Sequence, residues 1–443
     1  MTGGLLQLAA YGAQDVYLTG NPQITFFVGV YRRYTNFSKE IIRQNFYGNG
    51  DFGQKVFCIL DTIGDLVHRI YLRVQLPGLK QYAYTDENGT PVKFYWVNSI
   101  GNALIKNIEL NIGGALIDRQ YGIWMEIWSE LTTDINKREG YYDMIGKSIS
   151  PINLNNDKEL DLWIPLQFWF NKNIGQSLPL IALQEHEVRI NVTFRELQQL
   201  IISSNGEPFD PKFISSLKPG VPENLSIINT NLEVEYIFLE DDERKKFAKD
   251  NHQYLIEQVQ VYSTSLTSRG KRPDPTDPNK DTRIPELFHR VILDFNHPVK
   301  ELIWVLQNQT VLSLYPYGGN EWFNFSTDSY RNIDSIEEEP MTDCKIVFEG
   351  KDRIDYKPAK YFRTVVPYEV HTRTPNNYIY CYSFSNHPEQ FQPSGSCNFS
   401  RIDDQELYMH ISEKLIDPMI NVFAVNYNIL NIAGGMAGIE YST

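Results

Sequence analysis

The chain has 443 residues, 42% of them hydrophobic and 22% charged, a globular balance that excludes wholesale disorder. Its net charge is −14 and its isoelectric point about 5.1, so the surface repels phosphate, which argues against a main role in gripping DNA or RNA and against docking on anionic lipid. The length allows two or three domains, and 27 Tyr and 24 Phe favour strands over helices.

The first 25 residues carry no periodicity. Gly3, Gly4, Gly12, Gly20 and Pro22 punctuate a polar and apolar mixture. Such a segment is either floppy or an arm that orders against a neighbour. No basic stretch precedes Arg32, so no signal peptide is expected. Met1-Thr2 lacks the glycine that myristoylation needs. No window approaches 18 uninterrupted apolar residues, so no membrane-spanning helix is expected, and the chain is expected to fold in the cytosol.

Ile24-Thr25-Phe26-Phe27-Val28 reads as the first strand. Apolar and polar residues then alternate over residues 69–76, 104–112 and 187–194, and again over 232–238 and 423–429. In the third of these, Val188, Ile190, Val192 and Phe194 oppose Arg189, Asn191 and Thr193. Period-two alternation predicts half-buried antiparallel strands, not the continuous apolar runs of a parallel sheet. Helical signals are few. Trp124, Ile127, Trp128 and Leu131 fall at helical spacing within residues 121–133, and the charged residues 241–249 suit a connection. Regular βαβ alternation is missing.

Residues 203–224 hold Pro208, Pro211, Pro219 and Pro222 with Gly206 and Gly220. Proline at that density does not fit a central strand, so this stretch is read as a linker between halves of about 200 residues, each with room for an eight-stranded sandwich. Residues 272–285 are read as a long surface loop. No close sequence repeat relates the halves, so any duplication is expected in structure alone. The Gly- and Ala-rich residues 432–443 read as a second tail.

Catalytic signatures are missing. Gly113-Gly114 and Gly434-Gly435 belong to no phosphate-binding motif, and there is no nucleophile elbow. Glu185-His186-Glu187 lacks the spacing of a zinc site. Cys58, Cys344, Cys381 and Cys397 form no CxxC pair and read as reduced thiols, with Cys381 an inert core residue. No metal or cofactor is expected. Asn36, Asn88, Asn191, Asn224, Asn308, Asn324 and Asn398 each open an N-x-[ST] sequon. Asn88, Asn191, Asn308 and Asn398 are taken as the candidate glycan acceptors, although no signal peptide delivers the chain to the secretory pathway.

From Gly3 to Asn36 the chain reads GGLLQLAAYGAQDVYLTGNPQITFFVGVYRRYTN. Further blocks are IELNIGGALIDRQY (108–121), LPLIALQEHEVRI (178–190), FNHPVKELIWV (295–305), SGSCNFSRID (394–403) and NIAGGMAGIEYST (431–443). Together they closely resemble the major capsid proteins of nucleocytoplasmic large DNA viruses, algal-virus members above all. The blocks cover both halves and both termini. Val28-Gly29 departs from the pattern of many relatives.

The resemblance implies an all-β double jelly roll: two consecutive eight-stranded antiparallel sandwiches with short helices in loops. The expected division is an arm (1–25), a first jelly roll (26–204), a linker (205–224), a second jelly roll (225–436) and a tail (437–443). It further implies a structural subunit of an icosahedral capsid, with homotrimeric, pseudo-hexameric capsomers in contact with neighbouring capsomers and with minor capsid proteins beneath the shell. Covalent glycans belong to the same expectation; direct contact with nucleic acid does not. The arm, with Gly3, Gly4, Gln14, Asp15, Asn21 and Pro22 as its candidate assembly residues, is expected on the inner face. The implied location is the virion, after assembly in the infected-host cytoplasm. A minor capsid paralogue and a carbohydrate-binding β-sandwich are the alternatives.

Overall fold

The computed structural model describes residues 2–148, 158–206, 208–266, 271–273, 281–283, 287–308, 320–327, 338–415 and 418–442. It divides into an arm, Met1–Asn36, and a body, Phe37–Thr443. The arm carries two short helices, α1 (Gly3–Ala9) and α2 (Val16–Thr19), neither with a buried residue. Residues 24–28, expected as the first strand, form none, and Phe26, Phe27 and Val28 are exposed. A strand needs a ladder partner for its backbone groups, and the first strand partner in the chain is met only at Phe37, which faces Leu239.

Eight strands, with four shorter ones paired beside them, build the first sandwich of the body: β1 (Phe37–Asn45), β2 (Lys55–Ile59), β3 (Leu66–Leu76), β4 (Ile105–Ile112), β5 (Ala115–Gln120), β6 (Leu160–Pro165), β7 (Val188–Phe194) and β8 (Asn229–Leu239). They form two four-stranded sheets, β1-β8-β3-β6 and β2-β7-β4-β5. Eight more follow: β9 (His252–Ser265), β10 (Phe288–Leu293), β11 (Pro298–Gln307), β12 (Met341–Phe348), β13 (Lys351–Pro358), β14 (Tyr380–Ser383), β15 (Gln405–Ile411) and β16 (Met419–Ala433). Their sheets run β9-β16-β11-β14 and β10-β15-β12-β13. Raising each strand number of the first pair of sheets by eight gives the second pair. The duplication that no sequence repeat shows is thus complete in the topology, and the architecture is a double jelly roll.

Each sandwich closes over its own apolar core. In the first, Ile190 of β7 lies between Cys58 of β2 and Leu110 of β4, all three fully buried. In the second, Val291, Trp304, Ile346, Leu407 and Val422 gather from five strands. Burial of each such side chain contributes roughly 1.5–3 kcal/mol.

The boundary between the halves differs from the expected one. β8 was placed at the start of the second half, but it pairs with β1 on one side and β3 on the other, inside the first. The proline-rich stretch before it carries a helix, Pro211–Leu217, whose first turn is capped by Asp210. Phe209, Ile214 and Leu225 are buried in the first core. Proline fits there because a helix N-terminus has amide groups without partners anyway. The connection between sandwiches is the charged helix α3 (Asp241–Lys249).

Both glycine pairs are hairpin turns. Gly113 and Gly114 (φ 58° and 83°) join β4 to β5, and Gly434 and Gly435 (φ 59° and 82°) join β16 to a short C-terminal strand, β17 (Met436–Ile439). Positive φ at both turn positions is what two-residue hairpins demand. The C-terminal segment is therefore a paired strand over these residues. Of the expected loop at 272–285, a ladder joins 271–273 to 281–283; the rest lies outside the described residues.

Candidate functional site: the seam between the two sandwiches

The helix α4 (Gly122–Thr132) leaves the first sandwich after β5. Its apolar face is the one legible in the sequence: Trp124, Ile127, Trp128 and Leu131. That face covers the second sandwich. It packs on Ile303 and Val305 of β11, Phe423 and Val425 of β16, and Cys381 of β14. Trp124 stacks on Trp128 and tilts against Phe423, each with ring centroids 5.4 Å apart. β11 and β16 are consequently buried on both faces. The expectation of half-burial over residues 423–429 fails for that reason, and over 232–238 the β8 outer face is buried beneath the side chains of its neighbours.

Charged groups surround this apolar patch. Glu126 accepts hydrogen bonds from Ser99 Oγ (3.1 Å), Asn102 Nδ2 (2.7 Å) and Lys147 Nζ (2.7 Å). Glu130 accepts from Tyr142 Oη at 2.9 Å, from Lys147 at 2.5 Å, and across the seam from Arg373. Burial pushes the Glu130 carboxyl up, but Lys147 and Arg373 outweigh it and hold it below the usual range. Lys172 Nζ lies 3.2 Å from Glu257 and 4.2 Å from the Trp128 ring centroid. The fully buried Lys300 donates to Glu257 and, at 2.5 Å, to the Pro388 carbonyl. Buried pairs of this kind add little net stability, but removing one partner strands the other.

His371 is the most constrained group. Its Nδ1 lies 2.9 Å from Glu389 and its Nε2 3.1 Å from Glu301, a carboxylate with no aligned hydrogen-bond donor among the described residues. Trp128 meets the ring edge-on at 6.4 Å. Burial opposes the imidazolium, but Glu301, with help from Cys381 and Glu389, holds it well above its ordinary value. The raised proton affinity fixes the sign of the linkage. The stabilisation is complete below the unfolded value near 6.5 and is lost as pH rises through the higher folded value. The melting temperature is therefore expected to fall on the alkaline side of neutrality. A His371→Gln chain, less stable at pH 6, is expected to lack that component of the fall. A pH profile of melting temperature for both chains checks this.

The other singled-out residues fall elsewhere. In the arm, Gly3 and Gly4 open α1; Asp15 precedes α2 and accepts the Gly12 amide at 2.8 Å; Asn21 has φ 51°. Gln14 and Pro22 are exposed. Asn88 is exposed on a turn, and Asn398 is exposed while its side chain caps a helical turn at Ser400. Asn191, expected to be exposed, is only half so, and its amide donates to Glu109 and Asn111. Asn308 is 5% exposed. His186 serves the C-terminal hairpin: its Nδ1 accepts the Ala437 amide at 3.1 Å. Among the described residues no cluster could hold a metal ion, and no helix is long and apolar enough to cross a membrane. Cys381 is buried, and burial pushes its thiol up. Sequence reasoning missed Lys300, Glu301 and His371. The one signal was the apolar run Leu302-Ile303-Trp304-Val305-Leu306, which announces a strand buried on both faces.

Two jelly rolls joined by a permanent apolar seam define a double jelly-roll structural protein. Comparison with known proteins supplies the family. The family model for the N-terminus of major capsid proteins matches residues 25–240, and that for the large eukaryotic DNA virus major capsid protein matches residues 243–438. The chain belongs to the major capsid proteins of large eukaryotic DNA viruses. It is 37% identical over 470 residues to the major capsid protein of Pyramimonas orientalis virus and 33% identical over 480 residues to that of Paramecium bursaria Chlorella virus 1, covering 100% of each chain in both comparisons. The quasi-atomic PBCV-1 virus capsid superposes with TM-score 0.73 at 27% identity, over 95% of this chain and 100% of that one. The Faustovirus major capsid protein shares the fold, with TM-score 0.71 at 12% identity over 97% and 96% of the two chains.

Proposed function

We infer that this chain is the shell-building subunit of an icosahedral virion, and that three copies close into a ring of six sandwiches. The observation that carries the ring is the repeat itself. Inside one chain, the helix after the fifth strand of the first sandwich covers the outer face of the β9-β16-β11-β14 sheet. The equivalent segment of the second sandwich is the turn Tyr361–Val365 continuing into α5 (Val366–Val370). It leaves Tyr368 81% exposed. The equivalent outer face of the first sandwich, on β1-β8-β3-β6, leaves Ile41 54% exposed. Repeating the covered contact from chain to chain joins these two surfaces head to tail, and a head-to-tail contact that closes makes a ring. The chain-to-chain seam is more polar than the internal one, because Glu233, Glu235, Arg43 and Arg73 line that face of the first sandwich.

The role is read as structural, not enzymatic: at the seam Glu126, Glu130 and Glu257 are engaged by Lys147, Arg373, Lys172 and Lys300 in ion pairs that tie elements together. The arm, through Gly3, Gly4, Gln14, Asp15, Asn21 and Pro22, is read as the segment that engages the inner face of the shell and the minor capsid proteins there. Its many exposed apolar side chains, Phe26, Phe27 and Tyr31 among them, support that reading. Exposed Asn88 and Asn398 are the sequons suited to covalent glycans; buried Asn308 is not. Assembly is placed in the infected-host cytoplasm, consistent with the four unpaired cysteines. Replacing Tyr368 by Glu puts a charge in the proposed chain-to-chain seam. The purified Tyr368→Glu chain is expected to run as a monomer in native mass spectrometry with its fold intact by circular dichroism. A trimeric Tyr368→Glu chain would place the contact elsewhere.

A further inference from the structure

The second sandwich presents an aromatic strip to solvent. On β10, residues alternate so that Val291 and Leu293 enter the core while Phe288 and Ile292 point out, 43% and 54% exposed. The strip continues across the sheet. The Phe288 ring lies 5.9 Å from Tyr408 and 5.3 Å from His410 on β15, and His410 lies 5.4 Å from Tyr356 on β13, itself 37% exposed. Ion pairs border it, Arg290 with Glu406 and Lys345 with Asp352, and His410 Nδ1 lies 2.6 Å from Asp343 Oδ1. Lys345 also sits 5.2 Å and 5.3 Å from the Tyr356 and Tyr408 ring centroids. Exposed rings bordered by paired charges have the composition of an interface core and rim, not of a merely solvated face.

We propose that this outer face of the β10-β15-β12-β13 sheet docks on the equivalent face of the first sandwich of a second copy, in a neighbouring ring. The proposal rests on the ring described above. Both ring contacts use the other sheet of each sandwich and the helical segment beside it, so the β10-β15-β12-β13 face and its counterpart are left for contacts outside the ring. The counterpart, β2-β7-β4-β5, has the matching character. Phe57 stacks on Tyr47 with centroids 5.1 Å apart and lies under Arg189 at 4.6 Å, and Leu116 is exposed on β5 at the far edge of the same sheet. The charges are complementary. Lys55, Arg119 and Arg189 outnumber Glu109 and Glu187 on the first face. Asp343, Asp352 and Glu406 outnumber Arg290 and Lys345 on the second. Opposite excess charge steers two copies face to face and disfavours each face meeting itself.

Hydroxyl-radical footprinting of intact virions and of capsomers released from them tests this. In released capsomers Phe288, Ile292 and Tyr356 are expected to oxidise freely, while Tyr368 is already protected by the ring. In virions oxidation of Phe288, Ile292 and Tyr356 is expected to fall severalfold, together with that of Phe57 and Leu116. Equal oxidation of the strip in both samples would overturn the proposal, and so would protection of the strip in the released capsomer, whether by the ring or by attached glycan. Protection of the strip without protection of Phe57 and Leu116 would overturn the choice of partner face. Free oxidation of Tyr368 in the released capsomer would instead overturn the ring, and the docking proposal with it.

Discussion

Ile190→Asp is expected to yield insoluble protein. Ile190 is fully buried at the centre of the first core, and its neighbours Cys58 and Leu110 offer a carboxylate no hydrogen-bond donor beyond a thiol. Burying even a neutral polar group without a partner costs several kcal/mol, and an ionised one more. A domain is stable by only about 5–15 kcal/mol, so one such change consumes most of it. Thr193→Asp, on the opposite face of the same strand, is expected to stay soluble. The soluble fraction on expression, with circular dichroism on whatever is soluble, reads both variants. A soluble, normally folded Ile190→Asp chain would show that the faces of β7 are assigned wrongly.

The second large effect is expected at the seam. Trp124 is fully buried against Trp128 and Phe423, and its indole Nε1 has no hydrogen-bond partner among the described residues. Trp124→Ala therefore removes packing alone. Truncating a buried tryptophan costs about 3–5 kcal/mol, and here the cavity opens between the two sandwiches. Urea unfolding followed by circular dichroism is expected to show a loss of that size. A loss under about 1 kcal/mol would mean that the sandwiches are held together by the surrounding ion pairs instead.

How much of this was legible in the sequence follows from which forces are local. β7 was readable because one face is core and the other wet, so its side chains alternate in type. In β16 the strand over residues 423–429 was legible but its burial was not, because α4 covers its outer face. The position of β8 was unreadable for another reason. Its partners β1 and β3 lie far away in the chain, and nothing in residues 229–239 names them. The proline-rich stretch before it looked like a boundary because prolines break strands, but Pro211 starts a helix that packs into the first core. At the seam, α4 announced its apolar face and not what it would cover. The ionic partners Glu130 and Arg373 are 243 positions apart, and only the folded chain brings them together. The family resemblance carried what periodicity did not, namely the pairing of two jelly rolls in one chain.

The central claim is that the contact made once inside the chain is made again between chains. Native mass spectrometry of the purified, unmodified protein tests it most directly. A closed ring of three copies gives three times the 51.4 kDa chain mass, about 154 kDa. A stable species at 51.4 kDa would contradict it.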